Sequence, residues 1–223
     1  MPDHAVPKAR DGVDIAVRNT NRIMTKFLRW ISKHWLLVVN ICIGSLIVLP
    51  VLAPISMHLG LTGIGNFIYT IFKPSCHQLP ERSFFLFGPQ TVYSFNHLSA
   101  LFGGDVPQRF IGSPDLGYKI AVCERDVAIY GSMLLTGLLF GLYRKMKTLP
   151  LKFFGLLVLP MLVDGFGQLL GFWSSTWQSR VITGGLFGIA CIWLAFPYLQ
   201  TGMQDIYAQT LSLLNDMASN NDA

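Results

Sequence analysis

Residues 34–55 read HWLLVVNICIGSLIVLPVLAPI, uninterrupted by Asp, Glu, Lys or Arg. About 20 such residues carry a helix across the hydrocarbon core of a bilayer, at about 1.5 Å of rise per residue. Inside lipid the backbone must satisfy its own hydrogen bonds, so a run like this one crosses as a helix. Three further windows have the same character, at about 126–143, 152–173 and 181–199. Composition agrees. The chain is 52% hydrophobic and 13% charged, where soluble domains carry about 25% charged residues; its mean hydropathy is +0.46. The predicted fold class is an all-α membrane protein with four transmembrane helices.

Between the first two windows lies a long segment, 56–125, too polar and too rich in Pro and Gly to span. Its beginning, LTGIGNFIYTIF, predicts a short interfacial helix. The lysines and arginines set the orientation. Lys8, Arg10, Arg18, Arg22, Lys26, Arg29 and Lys33 precede the first window, and Arg144, Lys145, Lys147 and Lys152 follow the second. Both termini are therefore expected in the cytoplasm. Segment 56–125 and the turn SSTWQSR are expected on the outer side. No cleaved leader is expected, because the charged stretch is long and no small-x-small site follows it. The domain organisation is a basic arm (1–33), a transmembrane domain (34–200) and a polar, mildly acidic cytoplasmic tail (201–223).

The arm repeats Arg22, Lys26, Arg29 and Lys33 at helical spacing, interleaved with Ile23, Phe27, Trp30 and Ile31. That pattern predicts an amphipathic basic helix on the inner membrane surface, serving as a topology anchor or as a dock for a cytoplasmic partner. The net charge of +5 thus belongs with lipid headgroups. No aromatic–basic alternation or helix-turn-helix pattern supports nucleic-acid binding.

Polar chemistry collects in three places. PSCHQLPERS (74–83) and CERDVAIY (123–130) each carry a cysteine at the expected outer interface. Cys76, His77, Cys123 and Asp126 offer thiolate, imidazole and carboxylate ligands, with His97 and Glu124 in reserve; zinc or iron suits such donors. An outer location equally allows a Cys76–Cys123 disulfide, and unlinked thiols are the third possibility. Cys42 and Cys191 lie inside spans and read as small packing residues. The third place is VDGFGQLLGFW, which sets Asp164 well inside an apolar window with Gln168 one turn on. A carboxylate there is costly unless paired or facing a cavity. At nine residues from Trp173 it should lie about 13 Å below the outer end, within reach of charges that open the neighbouring helices: Arg125, Asp126 and Arg180. Such networks also act as structural glue between helices. The glycine pairs 137/141, 167/171 and 184/188 favour close helix packing.

CHQLPERSFFLFG, CERDVAIYGS and DGFGQLLGFWSSTWQSRVITGGLFG resemble, in order, the three signature blocks of a prokaryotic membrane family called domain of unknown function family 2085. The resemblance covers about residues 70–190. It marks Cys76, His77, Gln78, Pro80, Glu81, Arg82, Ser83, Cys123, Arg125, Ile129 and Tyr130, then Asp164, Gly165, Gln168, Gly171, Arg180, Thr183 and Gly184. Asp126 stands where the family usually carries a further cysteine, and about 30 extra residues, near 89–120, separate the first two blocks. The resemblance implies a multi-pass protein of a bacterial or other prokaryotic inner (plasma) membrane and names no reaction.

Two functional readings follow. In one, the protein is an accessory or assembly subunit of a larger membrane complex, with the bilayer and other membrane-protein subunits as partners; the basic arm, the insertion and the replaced cysteine favour it. In the other, it is a small metal-dependent membrane enzyme or carrier acting on a lipid or quinone headgroup. A metal, or the set Asp164, Gln168 and Arg180, would then act, with Asp164 as the proton acceptor and Arg82 or Arg180 holding an anionic group. No nucleotide-binding loop, nucleophile elbow or zinc-protease helix motif is present.

Overall fold

The computed structural model describes residues 7–107 and 109–219, with side chains from residue 20 onward. Its elements are α1 (Pro7–His58), α2 (Thr62–Phe72), β1 (Phe85–Leu86), α3 (Phe95–Phe102), β2 (Gly112–Ser113), β3 (Gly117–Lys119), α4 (Glu124–Leu142), α5 (Leu151–Leu169) and α6 (Trp177–Ser219). Among the described residues, α1, α4, α5 and α6 are long and apolar enough to cross a membrane. The four spans follow from the four apolar windows, and α2 is the short helix expected after the first.

The chain divides into two compact units. One comprises residues 1–39 and 197–223, the other residues 40–196. In the first unit, the arm is the beginning of α1 and not a separate helix. No Gly or Pro interrupts residues 20–43, so nothing stops the helix at the arm's end. The Arg29 guanidinium lies 5.5 Å from the centroid of the Tyr207 ring, a cation–π contact. Ile23, Phe27 and Trp30 are exposed along the arm, while Thr25, Ser32 and Trp35 are buried. The side chains of Lys8, Arg10 and Arg18 lie outside the described ones. The polar tail continues α6 as helix up to Ser219; residues 220–223 lie outside the described ones.

In the second unit, the helices approach closely where glycines allow it. A Cβ on Gly188 would lie 2.1 Å from Ser132 Oγ, and one on Gly184 would lie 2.9 Å from the Arg125 carbonyl oxygen. The 184/188 pair therefore sets the α4–α6 distance. Helix α5 is shorter than its apolar window. Gly171 adopts φ +76° just beyond the helix, and the chain turns back so that Trp173 covers Gly167. Asp164 thus sits five residues from the end of α5, nearer to it than the window implied. Cys42 is exposed on α1 and Cys191 is half-buried, so Cys42 is not a packing residue within the chain.

Segment 59–123 folds on its own terms. Its strands form one small antiparallel sheet in the order β1-β3-β2, with Phe85 opposite Lys119 and Gly112 opposite Tyr118. Phe85, Tyr93 and Leu98 make a miniature core beneath it. Helix α3 is capped by Ser94, whose hydroxyl accepts from the His97 N–H at 3.2 Å, and it ends at Gly103 in the left-handed region. A second cluster ties this segment to the bundle: Ala53 of α1 packs with Ile68, Tyr69 and Phe72 of α2 and with Ile120, Ala121 and Val122. Pro54 has no N–H to offer the Pro50 carbonyl, its usual helical acceptor four residues back. The Ala121 N–H donates to that carbonyl instead, at 3.3 Å. A proline in α1 thus anchors the segment between β3 and α4.

Candidate functional site

Cys123 caps the N-terminus of α4 in extended conformation, and Asp126 lies within the first turn. That spacing lets the Cys123 thiol donate to Asp126 Oδ2 at 3.1 Å. Cys76 arrives from the turn after α2, where its N–H donates to the Phe72 carbonyl at 3.1 Å. The two sulfurs and an Asp126 oxygen lie within 4.8 Å of one another. Both cysteines are half-buried and unbridged. A hydrogen bond from the Cys123 thiol holds the Cys76 pKa below the usual thiol range. That same bond, reinforced by burial, pushes Cys123 up. One proton, on Cys123, therefore has two acceptors in reach: the Cys76 sulfur and the Asp126 carboxylate.

Gln78 fixes the loop beside Cys76. It adopts φ +53°, rare for a residue with a side chain. This turn points its N–H at Cys76 Sγ (3.4 Å), while its side-chain amide donates to the Tyr69 carbonyl at 2.8 Å. Its own carbonyl accepts from Lys119 Nζ. Lys119 is 1% exposed, a lysine almost wholly out of water. The Tyr69 hydroxyl donates to the Lys119 carbonyl at 2.5 Å. Burial lowers the Lys119 pKa to about 8, against the opposing pull of Cys76 and Glu81. Burial likewise raises the Tyr69 hydroxyl above its usual range.

A polar network closes the same end of the bundle. Arg125 of α4 pairs with Asp164 of α5. Asp164 also accepts from the Ser175 hydroxyl at 2.8 Å and the Ser179 hydroxyl at 3.2 Å. One turn into α6, Arg180 pairs with the fully buried Glu124 at 3.0 Å and donates to the Ser175 carbonyl at 2.6 Å. Glu124 and Arg180 also line a cleft of about 940 Å³ with Arg82, His97 and Gln168. Glu124 Oε1, Arg125 Nε and Arg180 Nε are buried without a hydrogen-bond partner among the described residues.

Cys76, Cys123 and Asp126 thus converge, and Asp164 with Arg125 and Glu124 with Arg180 form two charge pairs. His77 is exposed and lies outside the three-ligand group. The next residue, Gln78, takes the turn inward while His77 stays at the surface. Gln168 and Arg82 line the cleft and share no hydrogen bond with Asp164. His97 stacks edge-on against Tyr93 at 5.6 Å, also apart from the thiols. Lys119, Ser175 and Ser179 escaped the sequence reading. The two serines carry a usable signal, since a carboxylate inside a span needs donors and SSTWQS is the turn that follows it. Lys119 carries none, because a lysine two residues past a glycine turn reads as solvent-exposed.

Residues 115–194 match the model of a family described as "Predicted membrane protein (DUF2085)". The resemblance drawn from the signature blocks holds over that stretch, which includes Lys119, Cys123–Asp126, Asp164 and Arg180. An "Uncharacterized protein MJ1492" from Methanocaldococcus jannaschii is 29% identical over 154 residues, covering 66% of this chain and 80% of that protein. No solved structure matches the chain.

Proposed function

We propose that the protein is a small membrane metalloprotein whose ion is held by Cys76, Cys123 and Asp126. The observation that carries this reading is the convergence of two thiols and a carboxylate within 4.8 Å. At bonds of about 2.3 Å, two sulfurs in a tetrahedral site stand about 3.8 Å apart, so a small side-chain adjustment closes the group around an ion. A mixed sulfur and oxygen donor set suits zinc or iron. Three protein ligands leave a fourth position free, the pattern of sites that exchange a ligand and polarise a bound group. Lys119, buried beside Cys76, would offset the negative charge gathered by two thiolates and a carboxylate. The reaction class this supports is metal-assisted chemistry on a lipid or quinone headgroup at the membrane interface.

A specific observation favours the second reading, an accessory subunit of a membrane complex. Phe87, Phe95, Leu101 and Phe102 are exposed on the segment outside the spans, where bare apolar side chains mark contact surfaces.

Purification from native membranes tests both readings. The metalloprotein reading expects about one zinc or iron per chain, lost in Cys76→Ser and in Asp126→Asn and retained in His77→Ala. Cobalt substitution should give a thiolate-to-metal charge-transfer band. Metal-free protein whose two thiols alkylate only after reduction rejects the metal in favour of a Cys76–Cys123 disulfide. Recovery in one large assembly, without metal, supports the accessory subunit.

A further inference from the structure

The pocket beside the thiol group, about 700 Å³ in volume, gathers Lys73, Arg109 and Lys119 with Cys76 and His77; neutral side chains of α2 and Gln78, Leu79 and Ile111 form the rest of its wall, and no Asp or Glu lines it. None of the three cations has a carboxylate within ion-pair distance among the described residues, whose ion pairs are Arg125–Asp164 and Arg180–Glu124. Lys119 is the buried member, and it spends one of its three N–H donors on the Gln78 carbonyl. Arg109 adds a planar fork that fits an oxyanion with two parallel hydrogen bonds.

We propose that this pocket binds the phosphate of a phosphate ester or of free phosphate, between Lys119, Lys73 and Arg109 and next to Cys76. Lys73, Arg109 and Lys119 face one cavity that no carboxylate lines, and an anion inside could contact all three. An anion there also offsets the desolvation cost of the buried Lys119 ammonium. The site's position gives the phosphate a role, which rests on the metalloprotein reading: Cys76 both lines the pocket and belongs to the ligand group. A bound phosphate would therefore lie beside the ion's exchangeable position. Binding itself requires only the three cations. A phospholipid headgroup and a soluble phosphate share this chemistry.

The test uses the full chain in phosphatidylcholine nanodiscs, titrated with inorganic phosphate in a calorimeter, with the metal content of each sample measured alongside. Saturable binding is expected in the wild type. It should weaken roughly tenfold in Arg109→Ala and in Lys73→Ala, as each removes one charge-assisted contact, and it should vanish in Lys119→Met. Arg109→Ala and Lys73→Ala alter exposed residues, so both should fold and keep their metal even if Lys119→Met does not. Phosphate binding without metal keeps the pocket and rejects the metal reading. Metal without phosphate binding, or binding that ignores Arg109 and Lys73, overturns the pocket. Repeating the titration in nanodiscs containing phosphatidylglycerol identifies the source. Loss of phosphate binding there means that the lipid headgroup occupies the site, and unchanged binding means that the ligand is soluble.

Discussion

Arg180 and Glu124 meet at 3.0 Å between the first turns of α6 and α4, and neither side chain is more than a tenth exposed. Breaking a buried pair from one side strands the other charge and costs about 3–5 kcal/mol, whereas replacing both partners by neutral groups costs far less. Arg180→Met should therefore lower the unfolding temperature in detergent sharply, and the double substitution Arg180→Met with Glu124→Gln should recover most of the loss. A loss in the double variant equal to the sum of the losses in Arg180→Met and Glu124→Gln would mean that the pair carries no coupling.

Asp164 holds three partners, Arg125, Ser175 and Ser179, from two neighbouring segments. Asp164→Leu should destabilise the bundle by several kcal/mol, and Ser179→Ala should cost about 1 kcal/mol. Gln168→Leu should stay near wild type, because Gln168 lines the cleft and takes no part in the network. Thermal melts of the three variants check this order. A Gln168→Leu loss as large as that of Asp164→Leu would place Gln168 in the network after all.

Metal affinity should climb with pH. Cys123 keeps its proton beyond the usual thiol range because it donates to Cys76, and an ion can take that sulfur only after the proton leaves. The sign is fixed by mass action: below the Cys123 pKa, each proton released raises the apparent affinity about tenfold per pH unit. Competition against a chelator of known affinity, from slightly acid to slightly alkaline pH, measures the slope. A flat profile contradicts the requirement that a protonated Cys123 act as a ligand.

The basic arm and the loop after α4 predict cytoplasmic termini, with segment 56–125 on the other side. Asn96 on α3 and Ser219 at the end of α6 are both exposed. An impermeant maleimide added to intact cells should label Asn96→Cys and spare Ser219→Cys, judged against the unsubstituted chain. Labelling of Ser219→Cys alone would invert the orientation.

The spans were readable because bilayer thickness imposes a length and a composition that few other structures need. The boundary drawn at residue 33 does not end a helix. Charge changes there, but helix propensity does not, and α1 runs on through Trp35 and Leu36. The strands of the polar segment are two or three residues long, too short for an alternating pattern to show. Cys76, Cys123 and Asp126 could be named from residue type. Lys119 could not, because its burial follows from the pairing of β3 with β1 and from the packing of Tyr69, the latter a contact across 50 residues of chain. His77 shows how a loop separates sequence neighbours. Adjacency to Cys76 made it a natural ligand, yet the turn at Gln78 leaves it at the surface.

The proline at 54 turns helix chemistry into competition for a single acceptor. By propensity alone, Pro54→Ala strengthens α1, since alanine is the best helix former and proline among the worst. It would also supply an amide hydrogen to the Pro50 carbonyl, which now receives the one from Ala121. The local gain in α1 would thus compete with the anchor of the segment that leads from Ala121 to Cys123, two residues on. A stiffer helix would come with a looser thiol.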